Sequence, residues 1–240
     1  MANMHPCRVY TALMLDISTM HTSIFDQVVF CAGLPRAIIY ALENIAISIE
    51  RPLGTLLQLE GDPADSMYII VTGRVKIYRM SVAGREQILQ IAGPGAHFNT
   101  VALFDGGTCP ANVEALTNVH LLRLPSTRLL PLLEEHPALA LALLRTVCAS
   151  LRSMVNLVDK LALHTVQGRL AALLIEIAEA QERGEDIGAT TQAQMAARLG
   201  TVREMVARTL KNFEGLGLIS IERGAITILD REGLVRQCEV

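Results

Sequence analysis

The chain has 240 residues, enough for two modest domains, and its 51% hydrophobic content is aliphatic, with aromatics at 4% and no Trp. The net charge of −3 neither indicates nor excludes a nucleic-acid partner. No uninterrupted apolar run approaches the ~20 residues of a bilayer span, so no membrane partner is expected, and five scattered cysteines (Cys7, Cys31, Cys109, Cys148, Cys238) without CxxC spacing point to reduced thiols.

Residues 1–23 show no clear period and read as an N-terminal arm. Asp16 interrupts the best apolar candidate there, so a signal peptide is not expected and the cytoplasm is the expected compartment. A short helical pattern follows, with Leu34, Ile38, Ile39, Leu42 and Ile45 on one side. From Pro52 the period changes to short β-rich runs: Leu56–Leu59, Met67–Val71, Val75–Arg79, Ile88–Ile91, Val113–Ala115 and His120–Leu124. Turn signals at Gly61-Asp62, Gly73, Ala83-Gly84, Gly93-Pro94-Gly95 and Gly106-Gly107 separate them. That spacing predicts an antiparallel barrel, roll or sandwich over 24–136.

After Pro137 the pattern turns helical to about Leu163. Ala140, Leu144, Val147, Leu151, Met154, Val158 and Leu161 alternate steps of four and three, a heptad seam that predicts a dimerisation helix over 137–164. An amphipathic helix packed on its own domain is the other reading of the same face. Gly168 and Arg169 open a further helix, Leu170 to Ala180, followed by a charged loop from Glu182 to Ala189.

The stretch TQAQMAARLGTVREMVARTLKNFE, Thr191 to Glu214, is the most informative. Thr191 is an N-cap for a helix ending at Leu199, Gly200 suits a left-handed stop, and Thr201 caps a second helix to Glu214. Helix, glycine turn and helix at this spacing form a helix-turn-helix. Projected at ~100° per residue, Arg203, Glu204, Ala207, Arg208 and Lys211 share one face; Met205, Val206, Thr209, Leu210, Phe213 and Leu216 fill the other. Arg can bridge the two major-groove acceptors of guanine, and Glu can accept from the cytosine amino group. Ala207 lets the backbone approach a groove. Ser220 to Leu229 reads as a hairpin with Arg223-Gly224 at its turn, a wing with Arg223 available to a phosphate. From Val166 onward nine Lys and Arg stand against eleven Asp and Glu, so affinity must come from a local basic stripe rather than a basic domain.

This order of parts resembles the Crp/Fnr superfamily of transcription regulators over nearly the whole chain past residue 23. The pattern G-x-x-R-E-x-V-x-R stands here as Gly200, Arg203, Glu204, Val206 and Arg208. The resemblance implies an α+β protein: an antiparallel β-roll of the double-stranded β-helix or jelly-roll kind, a dimerisation helix, and a winged helix-turn-helix over 165–240. It implies a homodimer on a palindrome of TGTGA-like half-sites, with Thr191 as a backbone-phosphate contact, Thr201 among the DNA-binding residues, and RNA polymerase as a partner if the chain activates.

The effector cassette departs from the cyclic-nucleotide branch. Where that branch carries F-G-E-L and R-S/T-A, this chain has Phe98-Asn99-Thr100-Val101 and Cys109-Pro110-Ala111. The guanidinium and free N–H donors that a cyclic phosphate requires are missing, so cyclic AMP is not expected as effector. Haem is a second possibility, with His97 and Cys109 as ligands for a gas or redox sensor. A module acting through a protein partner is the rival from another class. No P-loop, dinucleotide fingerprint or HExxH occurs, and Cys109 with His97 would lack a third orienting group, so no catalysis is expected.

Overall fold

The computed structural model describes residues 24–184, 191–222 and 224–238. The expected arm, Cys7, most of the charged loop after Glu182, and Arg223 lie outside the described residues. Two short 3-10 turns, Ile24–Gln27 and Val29–Cys31, lead into helix α1 (Arg36–Ile45). Its Ile38, Ile39 and Leu42 are buried, as their one-sided spacing predicts.

Eight strands follow: β1 (Ile47–Arg51), β2 (Leu56–Gln58), β3 (Ser66–Thr72), β4 (Val75–Met80), β5 (Glu86–Ala92), β6 (His97–Phe98), β7 (Asn112–Ala115) and β8 (Val119–Pro125), with helix α2 (Thr100–Asp105) between β6 and β7. They form two four-stranded sheets, ordered β1-β8-β3-β6 and β2-β7-β4-β5, and every pairing is antiparallel. Alternation along each strand builds two cores. Ile70, Val75, Phe98, Val113, Val119 and Leu121 meet between the sheets. Met67, Ile69, Leu122 and Leu124 point the other way, onto α1, helix α3 (Ser126–Glu135) and the start of α4 (Pro137–Leu163). Gly73 turns β3 into β4 at φ 84°, and a Cβ there would lie 2.3 Å from the Asn118 carbonyl oxygen, so only glycine fits.

Helix α4 has the predicted bounds. Leu139 and Leu143 anchor its first turns in the core, but beyond them its apolar face is uncovered: Leu144 is 56% exposed, Leu151 64% and Val158 64%. Taken whole, α4 is long and apolar enough to cross a membrane, the one such helix among the described residues. The uninterrupted runs within it stay short all the same, because Arg145 and Arg152 break them without making the helix polar on average. A regular seam of exposed Leu and Val along this helix also fits a partner helix.

His164 ends α4 in extended geometry, and Thr165 caps α5 (Val166–Glu182) by accepting from the Gly168 N–H at 3.1 Å. Helix α5 therefore starts earlier than Gly168, which lies buried inside it. Then come α6 (Gln192–Leu199), α7 (Arg203–Gly215), the hairpin β9 (Ile219–Glu222) and β10 (Ala225–Ile228), and α8 (Arg231–Cys238). Leu170, Leu174, Met195, Leu199, Val206, Leu210, Phe213 and Leu234 form this domain's aliphatic core around one aromatic ring.

Candidate nucleic-acid interface

Helix α6 opens with a reciprocal cap. The Thr191 side chain accepts from the Gln194 N–H at 3.2 Å, while Gln194 Oε1 accepts from the Thr191 N–H at 3.0 Å. Gly200 ends the helix at φ 65° and ψ 36°, and the Thr201 N–H returns to the Ala196 carbonyl at 3.0 Å. The N-cap of α7 is Val202, not Thr201, and its side chain makes no capping bond. The buried side of α7 is Val206, Thr209, Leu210 and Phe213; Leu216, assigned to that side by projection, stands 57% exposed at the C-cap because the helix ends there.

The opposite face carries Arg203, Glu204, Arg208 and Lys211, all exposed, with Ala207 half-buried between them. Among the described residues none of these four charges forms an ion pair. Other charges of the domain are paired, Arg198 with Glu176 at 2.6 Å and Arg231 with Glu179. The domain therefore leaves free the charges whose donors and acceptors match guanine and cytosine edges. Thr191 is exposed but its hydroxyl is engaged in the cap, and Thr201 is half-buried.

The helix-turn-helix is seated on the sheet domain. Gln87 of β5 donates from Nε2 to the Ile88 carbonyl at 2.9 Å and reaches the Arg198 carbonyl at 3.5 Å. A Cβ on Gly200 would come within 2.2 Å of Gln87 Oε1 and 3.0 Å of Leu161 Cδ2. Beside this contact, Ile88–Ile91, the end of α4, α5 and Arg198 line a cleft of about 820 Å³. Arg169 lies there, donating long bonds to the Lys160 and Leu161 carbonyls at 3.4 and 3.3 Å; its Nε has no partner among the described residues, and burial pushes its pKa down. Gly200→Ala is expected to destabilise this domain by about 1–2 kcal/mol through the left-handed backbone alone. Thermal unfolding of the variant checks it.

The cassette residues come together but are occupied with one another. Asn99 is the one non-glycine residue with positive φ among those described, at 67°, a conformation that Asn tolerates. Its Nδ2 donates to the Ser66 carbonyl at 2.8 Å, and the buried Cys109 thiol donates to its Oδ1 at 2.9 Å. Burial pushes the Cys109 thiol pKa up, as do Asp62 and Asp65, so it is a neutral thiol. Phe98 stacks on Tyr68 at 5.0 Å, Thr100 and Ala111 are buried, and Val101 and Pro110 face outward. Nearby, Arg123 is held by Ser66 at 2.7 Å and Asp65 at 3.0 Å.

His97 is not a solvated loop residue. Its Nε2 meets Thr146 of α4 at 3.0 Å, its Nδ1 meets Thr100 at 2.8 Å, and Phe30 packs edge-on at 5.5 Å. Thr146 already donates its own hydroxyl to the Leu143 carbonyl at 2.7 Å, which assigns Nε2 as the donor and Nδ1 as acceptor. Burial depresses its pKa to about 4. Both ring nitrogens of His97 are bonded and the Cys109 thiol donates to Asn99, so in this conformation each side chain is engaged within the cassette. No cluster of three metal-ligating side chains occurs among the described residues.

A pH dependence follows. The unfolded chain takes up this proton near 6.5 and the folded chain only near 4, so between those values the unfolded state binds more protons. His97 thus stabilises fully above about pH 6.5, and roughly 3 kcal/mol is lost as pH falls to 4. His97→Gln should flatten this part of the wild-type profile in thermal melts between pH 7 and pH 4.5.

Residues 49–136 match the cyclic nucleotide-binding domain family and residues 168–237 the Crp-like helix-turn-helix domain family. The chain is 30% identical over 221 residues to the CRP-like cAMP-activated global transcriptional regulator of Mycobacterium tuberculosis, covering 88% of this chain and 99% of that protein. It is 29% identical over 187 residues to the transcriptional activator protein anr of Pseudomonas aeruginosa, covering 75% of this chain and 76% of that one. Among solved structures, a Crp/Fnr-family transcriptional regulator from Thermus thermophilus superposes with a TM-score of 0.62 at 27% identity, covering 81% of this chain and 99% of that one. The c-di-GMP responsive global regulator of Xanthomonas campestris shares the fold at a TM-score of 0.71 and 21% identity, over 81% of this chain and 99% of that one. With a cyclic nucleotide-binding-like roll, a long connecting helix and a winged helix-turn-helix that carries an exposed charged face, the chain belongs to the Crp/Fnr family of DNA-binding transcription regulators.

Proposed function

We propose that the protein works as a homodimer that reads a palindrome of TGTGA-like half-sites and responds to an effector other than cyclic AMP. The observation that carries the DNA reading is the face of α7, where Arg203, Glu204 and Arg208 stand exposed and unpaired on a helix whose other side is locked in the core. Exposed Leu144, Leu151 and Val158 on α4 support pairing through that helix. Two heads on one dimer would raise affinity where the domain's net charge does not. RNA polymerase is the expected protein partner if the regulator activates. The free thiols of Cys31, Cys109 and Cys148 are consistent with a reducing cytoplasm.

The cassette supports the choice of effector. A cyclic phosphate needs a guanidinium and open N–H donors, yet Cys109 and Pro110 stand in the loop and the Asn99–Cys109–Ser66 network satisfies itself. The relative in Mycobacterium tuberculosis is cAMP-activated, so the two proteins would differ in this input while sharing the output. Isothermal titration with cyclic AMP, beside mobility shifts on a TGTGA palindrome at stated salt, tests this. The reading requires no titratable cyclic AMP binding at 1 mM and an unchanged shift; tight binding that strengthens the shift would refute it.

A further inference from the structure

Three of the four helices of the DNA-binding domain have a threonine at or next to their start, and only two use it as a cap. Thr165 caps α5 and Thr191 caps α6, each through its hydroxyl. At α7 a threonine is present, but one residue too early, and the cap position falls to Val202, with φ −99°, ψ 152° and no capping bond. Valine is among the poorest N-caps because it offers no acceptor to the first-turn N–H groups. Nor does Val202 gain from burial: it is 38% exposed and absent from the core that holds Val206, Leu210 and Phe213. A branched apolar side chain is therefore displayed at the tip of the helix, next to exposed Arg203 and Glu204.

Recognition helices enter the major groove with their N-terminal residues against base edges. The groove presents donors, acceptors and one apolar group, the 5-methyl of thymine. An aliphatic tip beside two polar readers has that methyl as its natural complement. Resting on the reading of α7 as the recognition helix, we infer that Val202 is a specificity-determining residue that packs against a thymine methyl adjoining the base pairs read by Arg203 and Glu204. Its two methyl groups are withdrawn from water only in the complex, and only where that position is thymine.

Replacing thymine by deoxyuridine removes this methyl and leaves base pairing intact, so it isolates the contact. Each thymine of a TGTGA palindrome, on both strands, is exchanged in turn and affinity is measured by fluorescence anisotropy at fixed salt. Wild-type protein should lose roughly four-fold at one thymine per half-site, and about fifteen-fold when both half-sites are changed. Val202→Ser, which supplies a better cap and should melt no lower than wild type, should bind thymine and deoxyuridine duplexes equally well at that position. Val202→Thr, keeping one methyl, should show a smaller thymine preference than wild type.

If the palindrome is bound far better than a scrambled duplex yet no thymine exchange matters, the Val202 contact is wrong while α7 still reads DNA. The contact is equally refuted if Val202→Ser keeps the full thymine preference. If palindrome and scrambled duplex bind alike, the underlying assignment of α7 fails as well.

Discussion

Arg203→Ala is expected to abolish discrimination at the guanine it reads while leaving the fold intact. A bidentate arginine–guanine contact discriminates by about 1–3 kcal/mol, so two half-sites together lose about 2–6 kcal/mol, or roughly 30-fold to 10⁴-fold in affinity. Arg203 is exposed and forms no ion pair among the described residues, so the folded chain gives up little when it is truncated. Melting temperature should hardly move. Anisotropy titrations should show the specific site falling toward non-specific DNA, with flattened base preference at that one position. Lys211→Ala, two turns further along the helix, should instead weaken all sequences about equally and lower the dimer's salt slope by roughly two, one contact per head.

Leu151→Asp should separate the two halves of the proposed dimer. Leu151 is 64% exposed in the single chain, so an aspartate there stays solvated in the monomer and leaves its stability nearly unchanged. In a paired seam the same carboxylate would be buried against its own copy. The loss of two leucine burials alone removes about 3–6 kcal/mol from association, and the buried charges add to it. Sedimentation should show a monomer where the wild type is a dimer, and operator binding should fall with it, because one head forfeits the gain from tethering. A variant that stays dimeric would place the interface elsewhere than along Ala140, Leu144, Val147, Leu151, Met154, Val158 and Leu161.

The sequence made local features plain and left distant ones hidden. The β-rich runs and the bounds of α4 follow from periodicity, since burial on one side writes itself into spacing. Strand β1 escaped because Ile47 and Ile49 continue an apolar run from the helix before it. Helix α3 escaped because Pro131 sits inside it, where a proline ordinarily signals a break. The cap of α7 slipped from Thr201 to Val202, a one-residue difference that only backbone geometry reveals. His97 is buried by Phe30 and Thr146, residues 67 and 49 positions away, and the Gly200 seat against Gln87 joins two domains. No spacing rule encodes such contacts, which is why the exposed charged face of α7 was legible and the state of the cassette was not.

That seat also gives a physical route between the domains. Gln87 lies on β5, next to the β4–β5 turn, and touches the turn of the helix-turn-helix, while Arg169 closes the end of α4. A shift of the sheet domain against α4 would be felt at both places. His97 links the cassette to α4 through Thr100 and Thr146, so a ligand that disturbs α2 has a short path to the same helix.

The central claim is that α7 reads base sequence, and a competition titration tests it most directly. Wild-type protein on a labelled TGTGA palindrome at 150 mM salt is challenged with the unlabelled palindrome or with a scrambled duplex of equal length and composition. The account predicts that the scrambled duplex competes at least ~10³-fold less well. Equal competition by both would contradict it and reduce the free charges of α7 to a solvated helix face.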